Sequence, residues 1–319
     1  MVVAQIAYNH LDPEVKAKCD ALIAVPPNCG TLNLSYTFVG DSTWADQRCD
    51  SYTSPQHFID LPISLDGHTT NSATINLTNN VVTALNQYIA TLQNTNATLT
   101  AQATALRYVI HFAGDIEQPL HCSNGITSNN FPNGDSGGNG FSLGSSGSLH
   151  SFWDNGGGYL SGGTVSDKAA SIEALYPYSP SIGTIPNPMD WATDGWNIAR
   201  TNTYVGITNG QPPSASYTTN TQATTIWRMA VGGQRLAKLL NTIYVTNAPS
   251  VTSVSLTDGN FGLSWSSVSG RIYRVQWKQQ ITDPTWNDLT DVTASTNSTS
   301  FTTNSVAQPQ QFYRAIVVN

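Results

Sequence analysis

The chain has 319 residues, and only 10% of them are charged, against roughly 25% in an average soluble domain. Thirteen basic and 20 acidic residues leave a net charge of −7, which argues against a basic groove along nucleic acid and against an anionic membrane surface. The length allows two domains or one large one with a core that needs no staples, and no apolar run approaches the roughly 18 residues of a membrane span.

The amino-terminal stretch from Met1 to Gln5 carries no charged leader and no cleavage site, so no signal peptide is visible. Asp12-Pro13 reads as an N-cap followed by proline at the first helical position, with Val15, Cys19, Leu22 and Ile23 on one face. Apolar periodicity predicts further helices over 81–92, 100–116, 167–175, 191–204 and 221–244. Residues 134–148 are rich in Gly and Ser and read as a loop. The character changes near 245–249. Runs at 251–256, 261–265, 272–277 and 312–316, most of them alternating apolar with polar residues, predict short strands of a small β-sandwich. Arg271, Arg274, Lys278 and Arg314 balance Asp258, Asp283, Asp288 and Asp291 there, so the whole net charge sits on the helical part. The expected organisation is a mainly α domain over 1–246 and an all-β sandwich over 250–319. The cysteines Cys19, Cys29, Cys49 and Cys122 allow three pairings. Low lysine content and Ser/Thr/Asn-rich loops favour an exported protein, in which disulfides persist.

Chemistry concentrates around the histidines. His111 and Asp115 stand four apart late in a helical run, one turn from each other on one face. His121 follows after Pro119 ends that helix. His150 and Asp154 repeat the spacing beyond the glycine-rich loop, and Asp46, His57 and Asp60 lie upstream. Zinc needs neutral imidazoles and carboxylates converging at about 2.0–2.2 Å, with an open position for catalysis. Asp46, His57, His111, Asp115, His121, His150 and Asp154 supply ligands enough for two ions. His68, in Asp66-Gly67-His68, reads as a surface turn residue.

Several stretches then occur in a telling order: Ser42-Thr43-Trp44-Ala45-Asp46, His57-Phe58, His111 to His121 (HFAGDIEQPLH), Gly134 to Asn139 (GDSGGN), Leu149 to Asp154 (LHSFWD) and Gly233 to Asn241 (GQRLAKLLN). Together they resemble the zinc-dependent type I nucleases of the S-one/P-one type, over about residues 1–245. The resemblance implies a phospholipase C/nuclease-like helical fold. It also implies an enzyme that cleaves single-stranded DNA and RNA to 5′-phosphates and removes 3′-phosphates from nucleotides. It gives one zinc to Asp46, His57, His111 and Asp115, and a second to His121, His150 and Asp154. Asp46 would also orient the attacking water, and Asp115 would bridge ions. Phe58 matches an aromatic that stacks on a base, Asp60 a carboxylate that bonds the base edge, and Asn155 a polar contact beside the metals. Arg48 does not clearly match the family. A third zinc of the family uses an amino-terminal Trp and a nearby His that this sequence lacks. The expectation is a shortened version of a longer, exported precursor, secreted or periplasmic.

Two rivals follow from the same residues. A zinc phospholipase C would share the fold, although its last ligand pair is typically His-x3-Glu where this chain has His150 and Asp154. A zinc- or nucleotide-binding protein without turnover would account for the missing third site. In the last 70 or so residues, Leu263-Ser-Trp265, Tyr273 to Trp277, Trp286 to Thr290 and Phe312-Tyr-Arg314 resemble fibronectin-type-III-like repeats appended to exported bacterial enzymes. That implies a spacer, or a module attaching to polysaccharide or a cell surface. A monomer is expected.

Overall fold

The helices arise where apolar residues recur on one face and a capping residue starts the first turn. The computed structural model describes residues 1–27, 36–47, 51–68, 77–94, 96–179, 187–244, 249–304 and 310–318. It divides into two units, Met1–Tyr244 and Val245–Asn319. In the first unit α1 (Val2–Asn9) is followed by α2 (Pro13–Ile23), whose Pro13 occupies a first-turn position where its missing N–H costs nothing. α3 (Val81–Gln93) opens with a reciprocal cap between Asn80 and Thr83. α4 (Leu99–Asp115) is the central helix, buried at every residue from Ala105 to Ala113, which is what an element packed on all sides shows. Its buried Arg107 pairs with Asp41 at 2.9 Å and donates to the carbonyls of Ile23 and Val25.

α5 (Leu149–Asp154), α6 (Val165–Leu175), α7 (Pro188–Ile198) and α8 (Ala215–Tyr244) complete the helical unit. α8 lies against α1 at Gly233, where a β-carbon would stand 2.4 Å from Ile6. Two short strands, β1 (Pro62–Ser64) and β2 (Asn124–Ile126), pair in parallel. They tie the chain just after His57 to the chain just after His121.

α1 and α5 lie outside the periodic windows, and two further helices start more than two residues before theirs. α7 begins at Pro188 because the Asn187 side chain accepts from the Asp190 N–H, a capping signal that apolar spacing does not register. It then widens into a π turn over Ala199–Thr203 rather than running on to 204. α8 starts at Ala215, six residues before its window, whose late start reflects first turns that are Ser- and Thr-rich and carry almost no apolar stripe.

The second unit is a sandwich of two antiparallel sheets, ordered β3-β4-β7 and β6-β5-β8. Its strands are β3 (Val251–Thr257), β4 (Asn260–Ser266), β5 (Ile272–Lys278), β6 (Asn287–Thr293), β7 (Ser298–Asn304) and β8 (Phe312–Val318). Leu263, Trp265, Tyr273, Val275 and Ala294 fill its core. β6 and β7 were not predicted. Their Asn, Asp, Ser and Thr side chains mask the alternation, and pairing to β5 and β4 makes them strands. A mainly α unit with an added all-β sandwich is the fold class expected from the sequence.

Cys19 and Cys122 are buried free thiols, and burial pushes both up to about 12. For these two the expected disulfides do not form: each is enclosed singly. Cys29, Cys49 and Arg48 lie outside the described residues.

Candidate metal centre

α4 carries His111 and Asp115 out of the core on its last turn, and the chain then reverses. Gln118 caps a short 3-10 turn, Pro119–Cys122, by accepting from Leu120 N–H, and this turn delivers His121. α5 delivers His150 and Asp154 on one face. It starts at Ser148, which exchanges caps with Ser151. Asp46 and His57 end two further 3-10 turns, Gly40–Gln47 and Ser51–His57. A cleft of about 1060 Å³ is lined by all seven of these residues.

They form two groups. In the first, His57 Nδ1 lies 3.0 Å from His111 Nε2, 2.9 Å from Asp115 Oδ2 and 3.8 Å from Asp46 Oδ1. His111 Nε2 lies 3.0 Å from Asp115 Oδ2 and 3.4 Å from Asp46 Oδ1. In the second, Asp154 stands 3.6 Å from His121 Nε2 and 3.4 Å from His150 Nε2. Ligands about 2.0–2.2 Å from a tetrahedral ion stand about 3.3–3.6 Å from one another. The observed spacings straddle that edge length, so both donor sets fit zinc. Asp46 and Asp154 are partly exposed while His111 is buried, which leaves each group open on its carboxylate side.

The histidine tautomers are set by the backbone. His111 Nδ1 lies 2.6 Å from the Ser42 carbonyl, His121 Nδ1 2.9 Å from that of His57, and His150 Nδ1 2.7 Å from that of Gly137. A carbonyl oxygen only accepts, so each Nδ1 carries a proton and Nε2 is the nitrogen left for a metal once the ring is neutral. Sequence reading missed these anchors, because a backbone carbonyl leaves no residue signature. It also assigned no role to Gln118, whose amide donates to Asp154 Oδ1 at 2.8 Å.

Without metal the donors neutralise one another. Burial works against a charged His111, yet Asp115 and Asp46 hold its pKa up to about 10. Burial likewise opposes ionisation of Asp115, and His111 and His57 overcome it to push the carboxyl well below its usual range. His121 is raised against its burial by Asp154 and Asp115. Asp154 is lowered against its burial by His121 and His150.

The expected substrate contacts divide. Phe58 follows His57 directly, is 37% exposed and lines the cleft. Asp60 and Asn155 stand outside its lining. Asp60 is half-buried, and burial, then the neighbouring Asp135, push its carboxyl up to about 6. Asn155 caps α5, and its side chain accepts from Ser161 at 3.2 Å. His68 is exposed in a turn where its N–H bonds Asp66. His10 pairs with Glu173 at 2.8 Å.

Residues 1–245 match the sequence model of a family described as S1/P1 Nuclease. Among solved structures, the chain is similar to a crystal structure of Clostridium perfringens alpha-toxin from avian strain SWCP. Identity is 12%, coverage is 99% of this chain and 85% of that one, and the TM-score is 0.43. No curated protein matches it. Among the described residues no helix is long and apolar enough to cross a membrane.

Proposed function

The chain belongs to the S1/P1 nuclease family and is a metal-dependent hydrolase of phosphodiester bonds; from that premise we propose that it cleaves single-stranded DNA and RNA to 5′-phosphates and removes 3′-phosphates from nucleotides. The observation that carries the reading is the pair of donor groups facing one cleft, with three imidazoles held in the ligating tautomer by backbone carbonyls. Asp46, His57, His111 and Asp115 would hold one zinc, and His121, His150 and Asp154 would hold another. Zinc bound there would supply a Lewis acid for the phosphoryl oxygens and would lower the pKa of a bound water to about 7. Asp46, the most exposed of the donors, would accept a hydrogen bond from the attacking water and orient it. Phe58 offers a ring face to a base, which favours single strands because their bases are free to stack.

The acidic net charge is compatible with this substrate. Among the described cleft-lining residues Lys168 and Arg228 are the only lysine and arginine, and Arg228 is paired with Glu117. Two zinc ions in these groups would offset four of the seven negative charges at the cleft itself. Contact is therefore confined to a few nucleotides. We assign this activity to residues 1–246, and read 250–319 as an appended fibronectin-type-III-like module of an exported, monomeric protein.

The test is hydrolysis by the zinc-loaded full chain of a single-stranded oligonucleotide, its duplex, a 3′-nucleotide and phosphatidylcholine vesicles. The expected result is single-strand cleavage leaving 5′-phosphates, lost on chelation and restored by zinc. Lipid hydrolysis without nucleic acid cleavage would make it a phospholipase. Zinc bound without turnover on any substrate would make it a binding protein.

A further inference from the structure

Between Asp115 and His121 the chain reverses within five residues, and this turn is fastened by a buried cluster of charge. Glu117, Arg228 and Arg235 are 3%, 4% and 3% exposed. Glu117 pairs with Arg228 at 2.6 Å through one oxygen and with Arg235 at 2.8 Å through the other. Arg235 continues to Asp194 on α7, so two positive and two negative charges close on themselves. Arg228 does more than neutralise. Its Nε donates to the Glu117 carbonyl at 3.0 Å, and its Nη2 reaches the Ile116 carbonyl at 3.5 Å. Those carbonyls belong to the two residues that follow Asp115. Cys122 Sγ donates to the same Ile116 carbonyl from the far side of the turn.

Net stability is a weak reason for such a cluster, since buried ion pairs are often replaced by apolar side chains at no loss. A planar fork that holds both a carboxylate and successive carbonyls has a distinct effect: it fixes the backbone path. We propose that Arg228 and Glu117 are positioning residues, which set the separation of Asp115 in the first donor group from His121 in the second. The proposal rests on the zinc reading above.

The experiment compares the full chain with Arg228→Lys and with the double variant Glu117→Leu/Arg228→Met, which removes one charge of each sign and leaves Arg235 paired with Asp194. Circular dichroism and thermal melting of the metal-free proteins report folding. Chelator competition and elemental analysis report zinc affinity and stoichiometry, and kcat and KM are read on a single-stranded oligonucleotide. The expected result is a folded double variant with zinc affinity down about 10–100-fold and kcat reduced at little change in KM. Lysine keeps the charge but not the fork, so it should fail to restore affinity. If the double variant does not fold, the lysine variant decides. Wild-type zinc affinity in a folded variant overturns the proposal, as does a raised KM with unchanged zinc, which would mean that Arg228 meets substrate directly. A wild-type chain that takes up no zinc refutes the metal reading itself, and this proposal with it.

Discussion

Replacing Gly137 by alanine tests whether backbone carbonyls hold the second donor group in shape. Gly137 has φ +61, in the left-handed region, where an L side chain costs about 1–2 kcal/mol. The added β-carbon would stand 2.7 Å from the Leu120 carbonyl oxygen and 3.5 Å from that of Ser123. Both are backbone atoms and cannot swing aside, so the Gly137 peptide must shift. Its own carbonyl is the acceptor for His150 Nδ1 at 2.7 Å. Losing that bond costs a further 1 kcal/mol or so and frees the imidazole to rotate or exchange tautomer. Outer partners of ligating histidines typically carry about 10–100-fold in metal affinity, or about 1.4–2.7 kcal/mol. The expected outcome is a metal-free protein destabilised by about 2–3 kcal/mol and a weakened second site, with the first site less affected. Chelator competition and thermal melting measure both. Ser136 is a control, because it already sits at φ 56. Ser136→Gly should relieve the turn without changing zinc affinity. Unchanged zinc binding in Gly137→Ala would refute the anchoring argument.

Zinc uptake should release protons, because His111 holds one with a pKa near 10 in the empty group and a ligating imidazole must be neutral. Affinity should therefore rise with pH, and calorimetry in buffers of different ionisation enthalpy would detect the release; pH-independent affinity would contradict it. Asp60 is raised to about 6, so the folded state binds its proton more tightly than the unfolded chain does. The stability it confers is present below pH about 4 and is lost as pH rises through about 6. Asp60→Asn should accordingly raise the melting temperature more at pH 8 than at pH 4, and an equal change at both would be evidence against the shift. Phe58→Ala should raise KM for single strands by an amount worth about 1–3 kcal/mol per stacked base, with duplex hydrolysis little altered; steady-state kinetics on both substrates would show it.

The convergence of His111 with Asp115, and of His150 with Asp154, was legible because one turn of helix is all it requires. The meeting of those pairs with Asp46 and His57 was not a matter of spacing, and the family resemblance alone pointed to it. Where sequence reading ran short, the reason was physical. The start of α8 is written in Ser and Thr rather than in an apolar stripe, and β6 and β7 exist through their neighbours. The anchors of the imidazoles are main-chain oxygens of Ser42, His57 and Gly137, which any residue could offer. Glu117 and Arg228 stand 111 positions apart with no periodic relation, so only the folded chain brings them together.

His57 has a double part. Its ring nitrogen stands in the first donor group while its carbonyl holds His121 in the second, so the two groups meet in one residue. Because coupling between sites is reciprocal, whatever effect filling one group has on the other through this residue must run with equal size in the opposite direction.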